Sequence, residues 1–139
     1  MTEAEIETLM LEATDGRLAT VGEDGPYIVP LAFVYHNKHI YFHCHKEGKK
    51  LINIARDPRV CFQTDISSAD TLNYRSVIFQ GTAKQVTDEK ELVDSMTAMM
   101  EKYKSPMKGM LKNPGAVAKL IRVFKVSDYR MTSKFSEGK

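Results

Sequence analysis

Residues 16–44 read GRLATVGEDGPYIVPLAFVYHNKHIYFHC, and the fold class turns on this stretch. Arg17–Val21 and Tyr27–Tyr35 are rich in β-branched and aromatic residues, and the Gly22-Glu23-Asp24-Gly25 run between them is hairpin punctuation. A second tight turn at His36-Asn37-Lys38 leads into a third strand from His39 to about Cys44. Strands joined by turns this short are antiparallel, because a parallel pair needs a crossover of a dozen or more residues. A doubly wound parallel sheet is therefore excluded.

Outward from this meander the hydrophobic period changes. Upstream, Ile6, Leu9, Met10 and Ala13 recur at helical spacing and predict a short amphipathic helix ending before Asp15-Gly16. Downstream, Glu47–Arg56 carries Leu51, Ile54 and Ala55 on one face and is stopped by Asp57-Pro58, which predicts a second short helix. A strand at Arg59–Thr64, a polar loop at Asp65–Asn73 and a strand at Ser76–Val86 follow. Gly81 inside that last strand marks a bulge or a close backbone approach. Asp88 with Glu91 signals the start of a helix whose inner face is Leu92, Met96, Met99, Met100 and Tyr103. A loop at Ser105–Gly115 and a closing strand at Leu120–Val126 complete the chain. The expected architecture is mainly β (α+β), six antiparallel strands forming a small barrel with short flanking helices, since closure removes exposed edges.

The chain has 139 residues, 42% of them hydrophobic and 27% charged, the balance of an ordinary globular chain. That length predicts one domain spanning 1–139, with a core large enough to need no staples. A formal charge of +2 is too small to draw the whole molecule onto nucleic acid or an anionic membrane, so neither is an expected partner. Cys44 and Cys61 lie in apolar runs, as buried thiols of a reducing compartment do. Met1–Met10 lacks the basic and apolar regions of a signal peptide, and no apolar run reaches the length of a membrane span. The expected location is the cytoplasm.

The densest polar constellation is His43-Cys44-His45-Lys46-Glu47-Gly48-Lys49-Lys50, where the third strand gives way to the second helix. A helix start offers unpaired backbone N–H groups, Gly48 lets a ligand approach, and Lys49 and Lys50 add charge, which together suit a phosphate. The competing reading is a pair of solvated lysines. His43 and His45 share one face of a strand, but no third ligand declares itself, so no metal is expected. A His43 in a cleft also suits a proton donor or a cofactor hydrogen bond. Pro30 in an otherwise apolar strand implies an edge, a bulge or a stretch facing a ligand. Arg75-Ser76 supplies a further cation and hydroxyl. No nucleophile elbow or paired-carboxylate pattern appears.

In order along the chain, Gly16–Val21, Gly25–Leu31, Ile40–His43, Glu47–Leu51, Asp57–Phe62 and Tyr74–Ile78 with Gly81 resemble the FMN-binding split-barrel superfamily. The similarity is greatest to the branch related to pyridoxamine 5'-phosphate oxidase that contains the 5-nitroimidazole resistance proteins. The resemblance covers roughly Asp15–Tyr103. It implies a six-stranded split barrel and a homodimer with FMN in clefts at the subunit interface. Lys49 and Lys50 match the basic pair that holds the FMN phosphate, with Arg75 and Ser76 on the strand that approaches it, from the same or the partner subunit. The backbone of Val29, Pro30 and Leu31 matches the strand along the isoalloxazine ring. His43 and Cys44 match positions that reach the ribityl chain and ring, and His43 a histidine near the flavin. The chain has no Trp and ends soon after Phe135, so the C-terminal Trp and Arg segment by which pyridoxamine phosphate oxidases read their substrate is missing.

The function this implies is a cytoplasmic FMN-dependent oxidoreductase acting on nitroaromatic or similar electron-poor small molecules. His43 is its proton donor, and a nicotinamide is a possible electron donor. Two alternatives stand beside it: a non-catalytic flavin-binding protein with the same cleft, and a haem-binding split barrel using one of His36, His39, His43 and His45.

Overall fold

The computed structural model describes residues 1–104 and 119–137. Its elements are α1 (Glu3–Glu12), β1 (Gly16–Gly22), β2 (Gly25–Leu31), β3 (Val34–His36), β4 (His39–His45), α2 (Lys49–Arg56), β5 (Arg59–Ser67), β6 (Tyr74–Gln85), α3 (Glu89–Tyr103) and β7 (Ile121–Ser136). The loop expected at Ser105–Gly115 lies outside the described residues. All seven strands belong to one antiparallel sheet in the order β2-β1-β5-β6-β7-β4-β3.

The two outermost strands of this order, β2 and β3, are consecutive in the chain and joined only by Ala32 and Phe33. The sheet thus curls until its ends meet covalently, yet those ends do not pair, and the result is a split barrel. This also corrects the strand count. Tyr27–Tyr35 is not one strand but two, broken at Ala32–Phe33 where the chain crosses the split, which makes seven strands instead of six. The sequence does not show that break, because apolar residues run through Ala32 and Phe33 with no Gly, Asn or Asp to punctuate them.

Inside the barrel lie Leu18, Phe33, Ile40, Phe42, Cys44, Val60, Phe62, Val77, Phe79, Phe124 and Val126, and α1 closes one end with Ile6, Leu9 and Met10. Outside it, α3 packs Leu92, Met96, Met99 and Met100 on Val34, Tyr41 and Val123. Helix α1 starts at a capping box, with Thr2 accepting from the Glu5 N–H and the Glu5 carboxylate accepting from the Thr2 N–H. Helix α3 starts at Asp88, whose carboxylate accepts from the Glu91 N–H.

At Gly81 the β6–β7 register shifts. A Cβ placed there would stand 2.5 Å from the Ser127 carbonyl oxygen and 3.0 Å from Tyr129 Cα, so only glycine fits the close approach. The last strand runs ten residues past its expected end at Val126, to Ser136. Beyond the buried Ser127 its continuation is largely exposed, and polar apart from Tyr129, Met131 and Phe135, and among the described strands it pairs with β6 alone, so no hydrophobic pattern announces it.

Candidate functional site

Among the described residues, the split leaves two backbone edges without a strand partner. One is the outer edge of β2, which pairs there only with β1. Pro30, lacking an N–H, stands on this edge strand opposite Arg17, where its missing donor costs the sheet nothing. The other edge is the distal half of β4: β3 covers it only as far as Tyr41, and beyond that Phe42–His45 pairs with β7 alone.

Helix α2 starts beside both edges. Its first residue, Lys49, holds its ammonium 4.8 Å from the centre of the Tyr27 ring on β2, and the next, Lys50, stands 5.9 Å from the Phe42 ring on β4. The helix is anchored by Asn53, buried, whose amide donates to Thr20 Oγ1 on β1 at 3.0 Å. Gly48, at φ 150°, precedes the first turn with no side-chain cap, leaving the opening N–H groups of the helix uncovered by any side chain of its own. Among the described residues, Arg17, Lys38, Arg59, Arg75, Lys84 and Lys125 are ion-paired to carboxylates, whereas Lys49 and Lys50 are not. A helix start with two unneutralised lysines is a place for an anion.

His43, half-buried on β4, faces away from the barrel interior, because its neighbours Phe42 and Cys44 point into the core and strand residues alternate. Its Nδ1 is buried with no hydrogen-bond partner among the described residues. Burial, then the nearby Lys50 and His45, lowers its pKa, so the ring is neutral at pH 7. The structure separates His43 from Cys44. The Cys44 thiol sits in the core with its pKa raised by burial, and only the backbone of that residue lies along the split. Val29 and Leu31 are half-buried on the opposite edge and Pro30 is exposed.

Arg75 and Ser76 are elsewhere. Tyr27, beside Lys49, is level with Thr20 and Val60 across the sheet, whereas Arg75 is level with Ile66. Six residues along β5 separate those levels, about 20 Å at the rise of a strand. The two side chains also face opposite ways. Arg75 shares the inner parity of Val77 and is ion-paired to Glu12 of α1 at 2.8 Å, on the wall of a cavity of about 910 Å³ with Met1, Ile66 and Phe135. Ser76 lies on the outer face and accepts from Gln63 Nε2 at 3.2 Å, and Gln63 in turn accepts from Arg17. Sequence reasoning did not single out Arg17 and Gln63. Their only signal is register, which pairs positions far apart in the chain. His36 and His39 are not gathered with His43 either. They line a smaller cavity of about 340 Å³ with Tyr41, Glu91 and Asp94.

Among the described residues no helix is long and apolar enough to cross a membrane. Residues 2–127 match the family described as pyridoxamine 5'-phosphate oxidase. No curated protein matches. Among solved structures, a conserved hypothetical protein from Mycobacterium tuberculosis is similar at 26% identity, over 97% of this chain and 85% of that one, with a TM-score of 0.83. A candidate 5-nitroimidazole antibiotic resistance protein from Bacteroides thetaiotaomicron is similar at 24% identity, over 95% and 82%, with a TM-score of 0.73. An FAD and haem binding protein from Mycobacterium smegmatis shares the fold at 16% identity, over 99% and 72%, with a TM-score of 0.78.

Proposed function

The chain belongs to the pyridoxamine 5'-phosphate oxidase family, and we propose that within it this protein is a cytoplasmic flavoprotein that holds FMN at the split between β2 and β4. The observation that carries this reading is the buried Nδ1 of His43, unpartnered among the described residues, near Lys50 at a helix start whose two lysines no carboxylate there neutralises. A buried polar atom without a partner costs about 1–3 kcal/mol, and a bound polar ligand removes that cost. The phosphate goes to Lys49, Lys50 and the first N–H groups of α2. The backbone edge at Val29–Leu31 lies along the ring system, and His43 with the backbone of Cys44 reaches the ribityl chain and ring.

The flavin supplies electron transfer, and the protein supplies anchoring, an apolar wall and a hydrogen bond. With its pKa lowered, His43 serves as a neutral imidazole, donating or accepting through one nitrogen, in place of a charged imidazolium. The acceptors that suit this site are nitroaromatic or similarly electron-poor small molecules, with a nicotinamide as electron donor.

The separation of Arg75 and Ser76 from the lysines favours a homodimer as part of the same reading. The outer face of the sheet exposes Val21, Ile28 and Ile78 around Cys61, a surface for a second copy. On that face stands Ser76, so Ser76 is the residue a partner subunit brings to the cofactor, while Arg75 stays with Glu12. The test is the absorption spectrum of the purified protein with and without added FMN, alongside its mass in solution. A two-band flavin spectrum in a dimer is expected. A Soret band, or no binding of FMN, overturns the assignment.

A further inference from the structure

Phe33 stands in the two-residue break between β2 and β3, so its backbone N–H and C=O have no strand to pair with. Buried backbone groups must find partners, and here one side chain serves both. The Phe33 N–H donates to Tyr103 Oη at 3.1 Å, and the Tyr103 hydroxyl is 3.1 Å from the Phe33 carbonyl oxygen. The same hydroxyl lies 2.7 Å from the Thr14 carbonyl oxygen, just past α1, so its single proton is shared between the two acceptors. Next to it, Lys102 places its ammonium 3.6 Å from the centre of the Phe33 ring and donates to the Met10 carbonyl at 3.2 Å. The last turn of α3 therefore grips the end of α1 and the corner of the split at once. Phe33 in turn packs edge-on against Phe62 in the core, with ring centres 4.8 Å apart.

We propose that Tyr103, with Lys102 beside it, is a latch that fixes the width of the split and so positions the β2 edge at Val29–Leu31 against the free half of β4. The functional consequence rests on the flavin reading above, whereas the mechanical one does not. Tyr103 is a positioning residue: it acts through Phe33, two residues from Leu31.

The test is Tyr103→Phe, which keeps the ring and removes the hydroxyl, followed by amide hydrogen exchange on the cofactor-free protein and by FMN titration. Exchange is expected to quicken at least tenfold at the β2 amides of Val29 and Leu31 and in Phe42–His45 while Phe62 and Val77 stay protected, and FMN affinity to fall about tenfold. Lys102→Met should do the same to a smaller extent and Lys102→Arg should restore protection, which keeps the test decisive if Tyr103→Phe does not fold. Quickened exchange confined to Phe33, or spread evenly through β5 and β6, overturns the latch. Unchanged FMN affinity with a loosened split overturns its positioning role. A variant that loosens as expected, from a wild type that binds no FMN, removes the flavin reading and leaves the latch standing.

Discussion

Replacing His43 by leucine separates what the imidazole does for the fold from what it does for a ligand. The Nδ1 of His43 is buried without a hydrogen-bond partner among the described residues, a situation that costs about 1–3 kcal/mol. His43→Leu removes the unpaired atom and keeps an apolar side chain over Val123, the residue facing it on β7. Leucine matches the imidazole in volume but not in its flat shape, so some contact is lost and the flavin-free variant should be more stable by roughly 1 kcal/mol at pH 8, about 3 °C in melting temperature. The gain should widen in acid. Because the folded-state pKa of His43 is lowered from 6.5, the unfolded chain takes up a proton there first as pH falls through 6.5. The wild type therefore loses stability in that window, down to the folded-state value, and the variant does not. In the same variant FMN should bind a few-fold to tenfold more weakly, the value of one ordinary hydrogen bond of about 0.5–1.5 kcal/mol. Urea unfolding of the flavin-free proteins at pH 8 and pH 5.5, with a fluorescence titration of FMN, reads all three quantities. A variant less stable than wild type at both pH values, with FMN affinity intact, would refute the reasoning: Nδ1 would then have a partner in the free protein and no role toward a ligand.

Three further outcomes follow from the same geometry. Lys49→Ala combined with Lys50→Ala should weaken FMN about a hundredfold, since charge-assisted hydrogen bonds are worth about 1.5–3 kcal/mol and the exposed Lys49 gives less than its full value, while leaving riboflavin binding nearly unchanged. Equal losses for both ligands would show that the lysines do not read the phosphate. Gly81→Val should cost about 1–3 kcal/mol of stability in a denaturant melt, because its side chain meets the backbone of Ser127 and Tyr129; an unchanged midpoint would mean β7 can move aside. Asp88→Ala removes the cap of α3, whose carboxylate accepts from the Glu91 N–H at 2.9 Å, and should cost about 0.5–2 kcal/mol, with Asp88→Asn restoring most of it.

Much of this was legible in the chain itself. The hairpin punctuation at Gly22–Gly25 and the turn at His36–Lys38 set antiparallel pairing, Asp88 with Glu91 marked the start of α3, and Gly81 marked the bulge, because each is a local requirement of backbone geometry or capping. The strand break at Ala32–Phe33 was not legible, since Phe33 is satisfied by Tyr103, seventy residues on. The exposed half of β7 was hidden for the opposite reason, as a strand held on one side by β6 and largely open to solvent carries little hydrophobic signal.

At the site the division is similar. That His43, Gly48, Lys49 and Lys50 gather where a strand hands over to a helix follows from the chain alone, because residues adjacent in the chain stay adjacent in the fold. Tertiary contacts alone set Lys49 and Lys50 toward two different free edges, turn Cys44 into the core and His43 out of it, and place Arg75 and Ser76 about 17–20 Å farther along the sheet on opposite faces. Those relations depend on the register between strands distant in sequence and on the closure of the sheet across the split, and neither is written in any local run of residues.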